Sequence, residues 1–399
     1  MSRAIAFVSC LCCALLFACS NGESSLTGEL VEVSTPIPIV NQTPDDDPKE
    51  KSDDETNASP VATPVNVESS VENIPEPSGI VRSASEVIDA TGLGGGILQP
   101  LGAAPLPEGF SEVELLIGGE ATSYKPVLEL TADGDWVFEE DTQAEYKIRV
   151  LVRFPSAESF SGVVVAEWMN VTAGVDNSVD WAFLSEEMGR EGHAFVGVSA
   201  QLVGIMGRDT GRIPSGLIDT RGLPTRDPDR YGDLSHPGDA FAFDIFTQSS
   251  LAAHQWLSSL YGIEPERLIA MGQSQSAGFL TSYINAVDPI VGVFDGYLIH
   301  GRGDGAPHPS MEERLSSITI RDDVKVPVLI FETETDITVL RYADARQDDA
   351  EHIRTWEVAG ASHSDTYSLS YPNGLPRRAN LGAVIGCENL INDGPQHET

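Results

Sequence analysis

The chain has 399 residues and carries 24 Lys and Arg against 61 Asp and Glu, a formal net charge of −37. A field of that sign repels phosphate backbones, which excludes nucleic acid as a natural partner and favours neutral or cationic small molecules over polyanions. Once tails are set aside, the length suits one large α/β unit.

Arg3 precedes an apolar run from Ala4 to Phe17 that is short for a bilayer span and reads as a secretory signal. The run ends Leu16-Phe17-Ala18-Cys19, which resembles a bacterial lipobox, although Phe17 is unusual there. Residues 1–19 are therefore expected to be a signal peptide with Cys19 as its lipidated end, and ordinary secretion is the alternative. A lipid at Cys19 would tie the protein to a membrane in the cell envelope, facing the periplasm or the cell surface, without a spanning helix. Residues 20–78 are rich in Pro, Ser, Thr and acids, with only Lys49 and Lys51 in opposition and no aromatic residue. Such a segment buries too little apolar surface to offset chain entropy, and a disordered acidic tether is expected. Of the 5 cysteines, only Cys387 lies beyond Cys19, so no disulfide within the mature domain is expected. Nor does any Cys/His cluster have zinc-ligand spacing, and neither metal nor cofactor is expected.

From residue 79 onward the texture is globular. Strand-like runs at Glu112 to Ile117, Pro126 to Leu130 and Tyr146 to Phe154, the last alternating at Ile148, Val150 and Val152, predict an antiparallel opening. Short apolar runs follow at Val163 to Ala166, Ala194 to Val198, Leu268 to Met271, Val293 to Ile299 and Val326 to Phe331. Helical patterns lie between several of them, notably Asp239 to Leu260 and Ala277 to Ala286. Fully apolar strands alternating with helices predict an α/β fold with a mostly parallel central sheet and helices on both faces. Residues 201–236, dense in Gly, Pro, Arg and Asp, read as an insertion above that sheet, either a lid or a surface excursion.

Leu268 to Gly272 runs as a strand into a turn, and a helix starts near Ser276, so Ser274 stands at a strand-to-helix junction. That is the context of a nucleophile elbow, in which the positions two before and two after the serine must be small; Gly272 and Ser276 satisfy this. A frame shifted to Ser276, with Gly278 beyond it, would bury the nucleophile in the first helical turn and is less favoured. A purely structural alternative is that both serines cap the helix.

A serine hydroxyl needs an imidazole to take its proton and an acid to hold that imidazole. His363 follows the predicted strand Thr355 to Val358 and is the expected base; His193, His254 and His300 are less well placed. The acid lies among Glu332, Glu334 and Asp336 after Phe331, with Asp336 favoured for its distance past the strand and Glu334 next. Oxyanion donors are expected from Gln275 and from Met169 or Asn170 in the loop after Val163 to Ala166. Trp168, His300 and Arg302 are candidates for a substrate pocket, Trp168 equally for core packing.

The blocks Glu167 to Val171, His236 to Asp239, Gly272 to Ala277, His300 to Gly303, Glu334 to Asp336 and Gly394 to His397 together resemble the bacterial "alpha/beta hydrolase domain-containing" family. The resemblance covers roughly Leu151 to the C-terminus. It implies the α/β-hydrolase fold and serine-hydrolase chemistry, with Ser274 and His363 at the catalytic positions. It also implies a further helix past the Gly394 to His397 block, so truncation at the C-terminus is an expectation. The expected activity is hydrolysis of small-molecule carboxylic esters through an acyl-enzyme. A non-catalytic envelope binding protein on the same scaffold, or an amidase or peptidase, are the other readings.

Overall fold

A computed structural model describes residues 82–209, 218–311 and 313–364. The signal segment with Cys19, the tether, Cys387 and the Gly394 to His397 block lie outside the described residues, as does part of the insertion.

The strands are β1 (Glu86–Asp89), β2 (Ser111–Pro126), β3 (Phe138–Phe154), β4 (Val163–Trp168), β5 (Ala194–Val198), β6 (Arg267–Gln273), β7 (Gly296–His300), β8 (Ala306–Pro307), β9 (Arg314–Leu315), β10 (Val328–Thr333) and β11 (Ile353–Val358). Nine of them form one sheet in the order β1-β2-β3-β5-β4-β6-β7-β10-β11, and β8 and β9 pair separately. The first three strands and the junction to β5 are antiparallel. From β5 to β11 every pairing is parallel. The antiparallel opening thus continues into a parallel sheet, as the apolar pattern predicts.

One predicted strand fails. Pro126 to Leu130 does not extend the sheet, because β2 ends at Pro126, opposite Phe138. Proline has no N–H for a ladder, and Val127 and Leu128 stand exposed in the connection.

The helices are α1 (Val179–Glu191), α2 (Leu202–Met206), α3 (Leu223–Arg226), α4 (Pro228–Tyr231), α5 (Ala242–Tyr261), α6 (Gln275–Ala286), α7 (Asp288–Val291) and α8 (Glu334–Thr338). Strand alternation divides the core. Val164, Ala166, Trp168, Leu268 and Ala270 join Phe243 and Phe246 of α5 and Leu280 and Ile284 of α6 in one cluster. The intervening Val165 and Met271 pack with Trp181, Ala182 and Met188 of α1 on the other face. Both faces are therefore apolar and covered, which is why these strands carry no polar alternation.

The described parts of the 201–236 insertion are pinned to the sheet. Arg230 pairs with Glu114 at 2.6 Å, the Tyr231 hydroxyl donates to the same carboxylate at 2.8 Å, and all three residues are buried. Among the described residues no helix is long and apolar enough to cross a membrane.

Candidate active site

β6 delivers Gln273 to the C-terminal edge of the parallel strands, and α6 starts at Gln275. Ser274 between them takes φ 61°, ψ −116°, one of few non-glycine residues with positive φ. A non-glycine residue held there costs on the order of 1–3 kcal/mol, which persists only where the surroundings impose it. They do so here: the Ser274 N–H donates to the His300 carbonyl at 2.8 Å, and its own carbonyl accepts from Gly278 at 3.1 Å. A Cβ on Gly272 would lie 3.0 Å from Ser276 Cβ and 3.1 Å from the Ser276 carbonyl carbon. The expected crowding at the small positions is thus present. Ser276 is fully buried inside α6, which leaves the partly exposed Ser274 as the accessible hydroxyl.

Asp336 and His363 meet as the chain order anticipates. His363 Nδ1 lies 2.5 Å from Asp336 Oδ1, with the imidazole 11% exposed and the carboxylate fully buried. The other carboxylate oxygen accepts from both the Thr333 N–H and the Thr333 hydroxyl at 2.7 Å, within a capping box that opens α8. Burial would raise the Asp336 carboxyl, but the hydrogen bond and charge of His363 and the Thr333 donors outweigh it and hold it below its ordinary value.

The two competing acids lie elsewhere. Glu334 is exposed and accepts from the Gly360 N–H at 2.9 Å, supporting the loop that carries His363. Glu332 is buried beneath the pair; burial first, then the Asp336 charge, pushes it up to about 10. The three acids do not share a face, because the strand stops at Thr333 and the helical turn redirects Asp336.

Among the described residues no hydrogen bond joins Ser274 Oγ to His363. The partner of His363 Nε2 is instead the Gln273 carboxamide nitrogen, at 3.3 Å. The loop after β4 closes the other side. The Asn170 carboxamide donates to the Gln273 carbonyl at 3.1 Å, and the Thr172 hydroxyl reaches the Gln275 side chain at 3.4 Å.

This loop is where the expected Met169 and Asn170 donors need correction. The Met169 N–H is bonded to Val198 O at 3.2 Å and the Asn170 N–H to Asn177 O at 3.0 Å. Both are engaged in backbone pairing, Met169 with the end of β5 and Asn170 with the return of its own loop.

Two of the three expected pocket residues are also structural. Trp168 is fully buried among Phe243, Phe246 and Phe279. Arg302 is fully buried, with its guanidinium on Thr281 Oγ1, the Ile318 carbonyl and the Gly303 carbonyl and its backbone N–H on Glu332. The third, His300, adjoins the elbow through its carbonyl, which accepts from the Ser274 N–H. Its ring contacts Phe183 and Phe331 edge-on, and Nδ1 lies 2.6 Å from the buried Asp180.

Two residues that the sequence reading passed over belong to the site. Gln273 is the variable position of the serine motif, so the pattern carries no signal for it. Gly301 has φ 60°, and a Cβ there would come within 3.3 Å of both Asp336 Oδ2 and His363 Nδ1. Its place beside His300 in a glycine-containing block was the available clue. Among the described residues no group of three or more His, Cys, Asp or Glu could hold a metal ion.

The family model for the alpha/beta hydrolase domain matches residues 85–399. No curated protein matches the chain. Among solved structures it is similar to a fungal esterase from Rhizomucor miehei, at 12% identity, 71% coverage of this chain, 84% of that one and a TM-score of 0.37. It is also similar to an acetyl xylan esterase from Paenibacillus sp. R4, at 14% identity, 66% and 83% coverage and a TM-score of 0.33. An alpha-beta serine hydrolase homologue from Coxiella burnetii aligns at 11% identity, 55% and 84% coverage and a TM-score of 0.32. With the family model matching from residue 85 through residue 399, this protein belongs to the alpha/beta hydrolase domain family.

Proposed function

We propose that the protein is a serine hydrolase of small carboxylic esters, acting through Ser274, His363 and Asp336. The observation that carries this reading is the strained Ser274 turn set beside the part-buried His363–Asp336 pair at one edge of the sheet. Nδ1 donates to Asp336, so Nε2 of the neutral imidazole holds the lone pair that can take a proton. Ser274 Oγ would attack the ester carbonyl carbon as its proton passes to Nε2 and the carbonyl π electrons move to oxygen. Collapse would break the bond to the alcohol oxygen, which leaves with the proton from Nε2, and water would then cleave the acyl-enzyme by the same steps.

The developing oxyanion would face the Gln275 N–H at the start of α6. Because the Met169 and Asn170 amides are engaged, the Val171 N–H is the second donor in this reading; it has no hydrogen-bond partner among the described residues. Esters are the least demanding acyl substrates for such a site, and the strong negative charge favours neutral or cationic ones. The test is hydrolysis of short p-nitrophenyl esters and labelling by a fluorophosphonate, with the matching anilides run in parallel. Labelling should vanish in Ser274→Ala; labelling that persists there removes Ser274 as the nucleophile, and turnover of anilides alone would redirect the reading to an amidase.

We propose further that Cys19 is lipidated and tethers the enzyme to a membrane of the cell envelope. This rests on the order of Arg3, apolar run, Ala18 and Cys19. Incorporation of labelled palmitate into the full chain, lost in Cys19→Ser, is the expected result.

A further inference from the structure

The lone pair on His363 Nε2 that the proposed chemistry needs is already in use. Gln273 is almost fully buried, and its carboxamide nitrogen stands 3.3 Å from that atom. In the neutral imidazole whose Nδ1 proton faces Asp336, Nε2 is an acceptor, and the Gln273 NH2 group is the donor. The residue is seated firmly from its own backbone. Its carbonyl accepts from the Asn170 carboxamide, and its position in β6 is paired with His300 of β7. A single imidazole lone pair serves one strong donor at a time, so the amide of Gln273 and the hydroxyl of Ser274 compete for it.

We propose that Gln273 is a positioning residue that parks the general base in the free enzyme, and that the Ser274–His363 hydrogen bond forms only when this amide is displaced. The proposal rests on the reading of Ser274 and His363 as nucleophile and base. It makes the variable position of the serine motif a determinant of resting reactivity. Small reagents that bring little binding energy would meet the parked state and pay for its exchange, whereas a well-fitting substrate would shift the balance as it binds.

The test uses the full chain with 15N-labelled histidine, the His363 resonances being assigned by their loss in His363→Asn. Gln273→Met keeps the side chain's length but donates nothing, and should move the Nε2 resonance toward that of an unbonded imidazole nitrogen. Ser274→Ala should leave it in place. Any other pattern, above all a resonance that follows Ser274→Ala and ignores Gln273→Met, overturns the proposal. Gln273→Asn, an amide one methylene too short to reach, gives the same discrimination should the Met variant not fold. In parallel, fluorophosphonate labelling should accelerate roughly two- to tenfold in Gln273→Met, the factor expected for losing one ordinary competing hydrogen bond; an unchanged or slower rate counts against the parking. Absence of labelling in the unmodified protein would instead defeat the nucleophile assignment, while the resonance pattern still judges where Nε2 is bonded.

Discussion

Two His–Asp pairs flank the elbow, and they are nearly identical by the measures usually applied to such pairs. His363–Asp336 spans 2.5 Å with the imidazole 11% exposed; His300–Asp180 spans 2.6 Å with the imidazole 13% exposed, and both carboxylates are fully buried. They differ in what surrounds them. His363 comes from a loop beyond the last strand, with Nε2 beside Gln273, the residue that precedes Ser274. His300 ends a strand, its carbonyl holding the Ser274 amide and its ring set between Phe183 and Phe331. Its acid lies in the first turn of α1 against Glu167, a carboxyl that burial and the Asp180 charge push well up. A short His–carboxylate contact thus occurs twice here, and in the proposed mechanism its position relative to Ser274 separates a base from a scaffold.

The sharpest way to break this comparison is to neutralise each acid in turn. Asp336→Asn should lower kcat by about 10³–10⁴ with the fold intact, as loss of an orienting acid does. Asp180→Asn should leave activity within about tenfold while costing on the order of 1–3 kcal/mol in chemical denaturation, the cost of disturbing a buried hydrogen-bonded group. Equal activity losses would erase the distinction. Asp336→Asn should also change acid stability. The folded carboxyl sits below its ordinary value, so its stabilisation is complete above the unfolded value of about 3.9 and lost as pH falls through the lower folded value. That part of the pH–stability slope should disappear in the variant.

Next in size is Gly301→Ala, which places a methyl group within 3.3 Å of Asp336 Oδ2 and His363 Nδ1 at a backbone position of positive φ. Steady-state kinetics should show a loss of roughly ten- to a hundredfold, as a misplaced catalytic group does. Glu332→Gln probes the buried carboxyl beside the His363–Asp336 pair. The folded carboxyl keeps its proton to about pH 10, whereas the unfolded one ionises near 4.3. Its stabilisation is therefore complete in acid and lost progressively as pH rises between those values. The variant should match the unmodified protein near pH 4 and gain stability toward pH 9, by on the order of 1–3 kcal/mol; melting curves across pH read this directly. The smallest effect belongs to Thr333→Val. Losing the cap should cost about 1 kcal/mol of stability, and kcat should fall severalfold as Asp336 loses one of its two supports.

Much of the frame was legible because burial writes itself into composition. Val163 to Ala166 and Leu268 to Met271 are apolar at every position, and both proved to be strands covered on two faces. Ser274 was legible because the strand-turn-helix context and two small neighbours are local properties, and His363 and Asp336 because each follows a strand end. What the chain concealed depends on pairings that only the fold brings about. The amides of Met169 and Asn170 look available until Val198 and Asn177 are seen to take them. Arg302 reads as a pocket cation until Thr281, Ile318 and Glu332 close around it. Pro126 to Leu130 has the composition of a strand, yet the ladder ends at its proline.

The capping box at Thr333 and Asp336 ties the proposed chemistry to the integrity of the polypeptide. The aspartate that orients His363 also starts a helix, so a descendant of this chain that drifted to another task would still be selected to keep it. Retention of that aspartate is then a weak sign of activity in any relative, and the serine and histidine, whose side chains cap no helix, are the positions whose loss would register the change first.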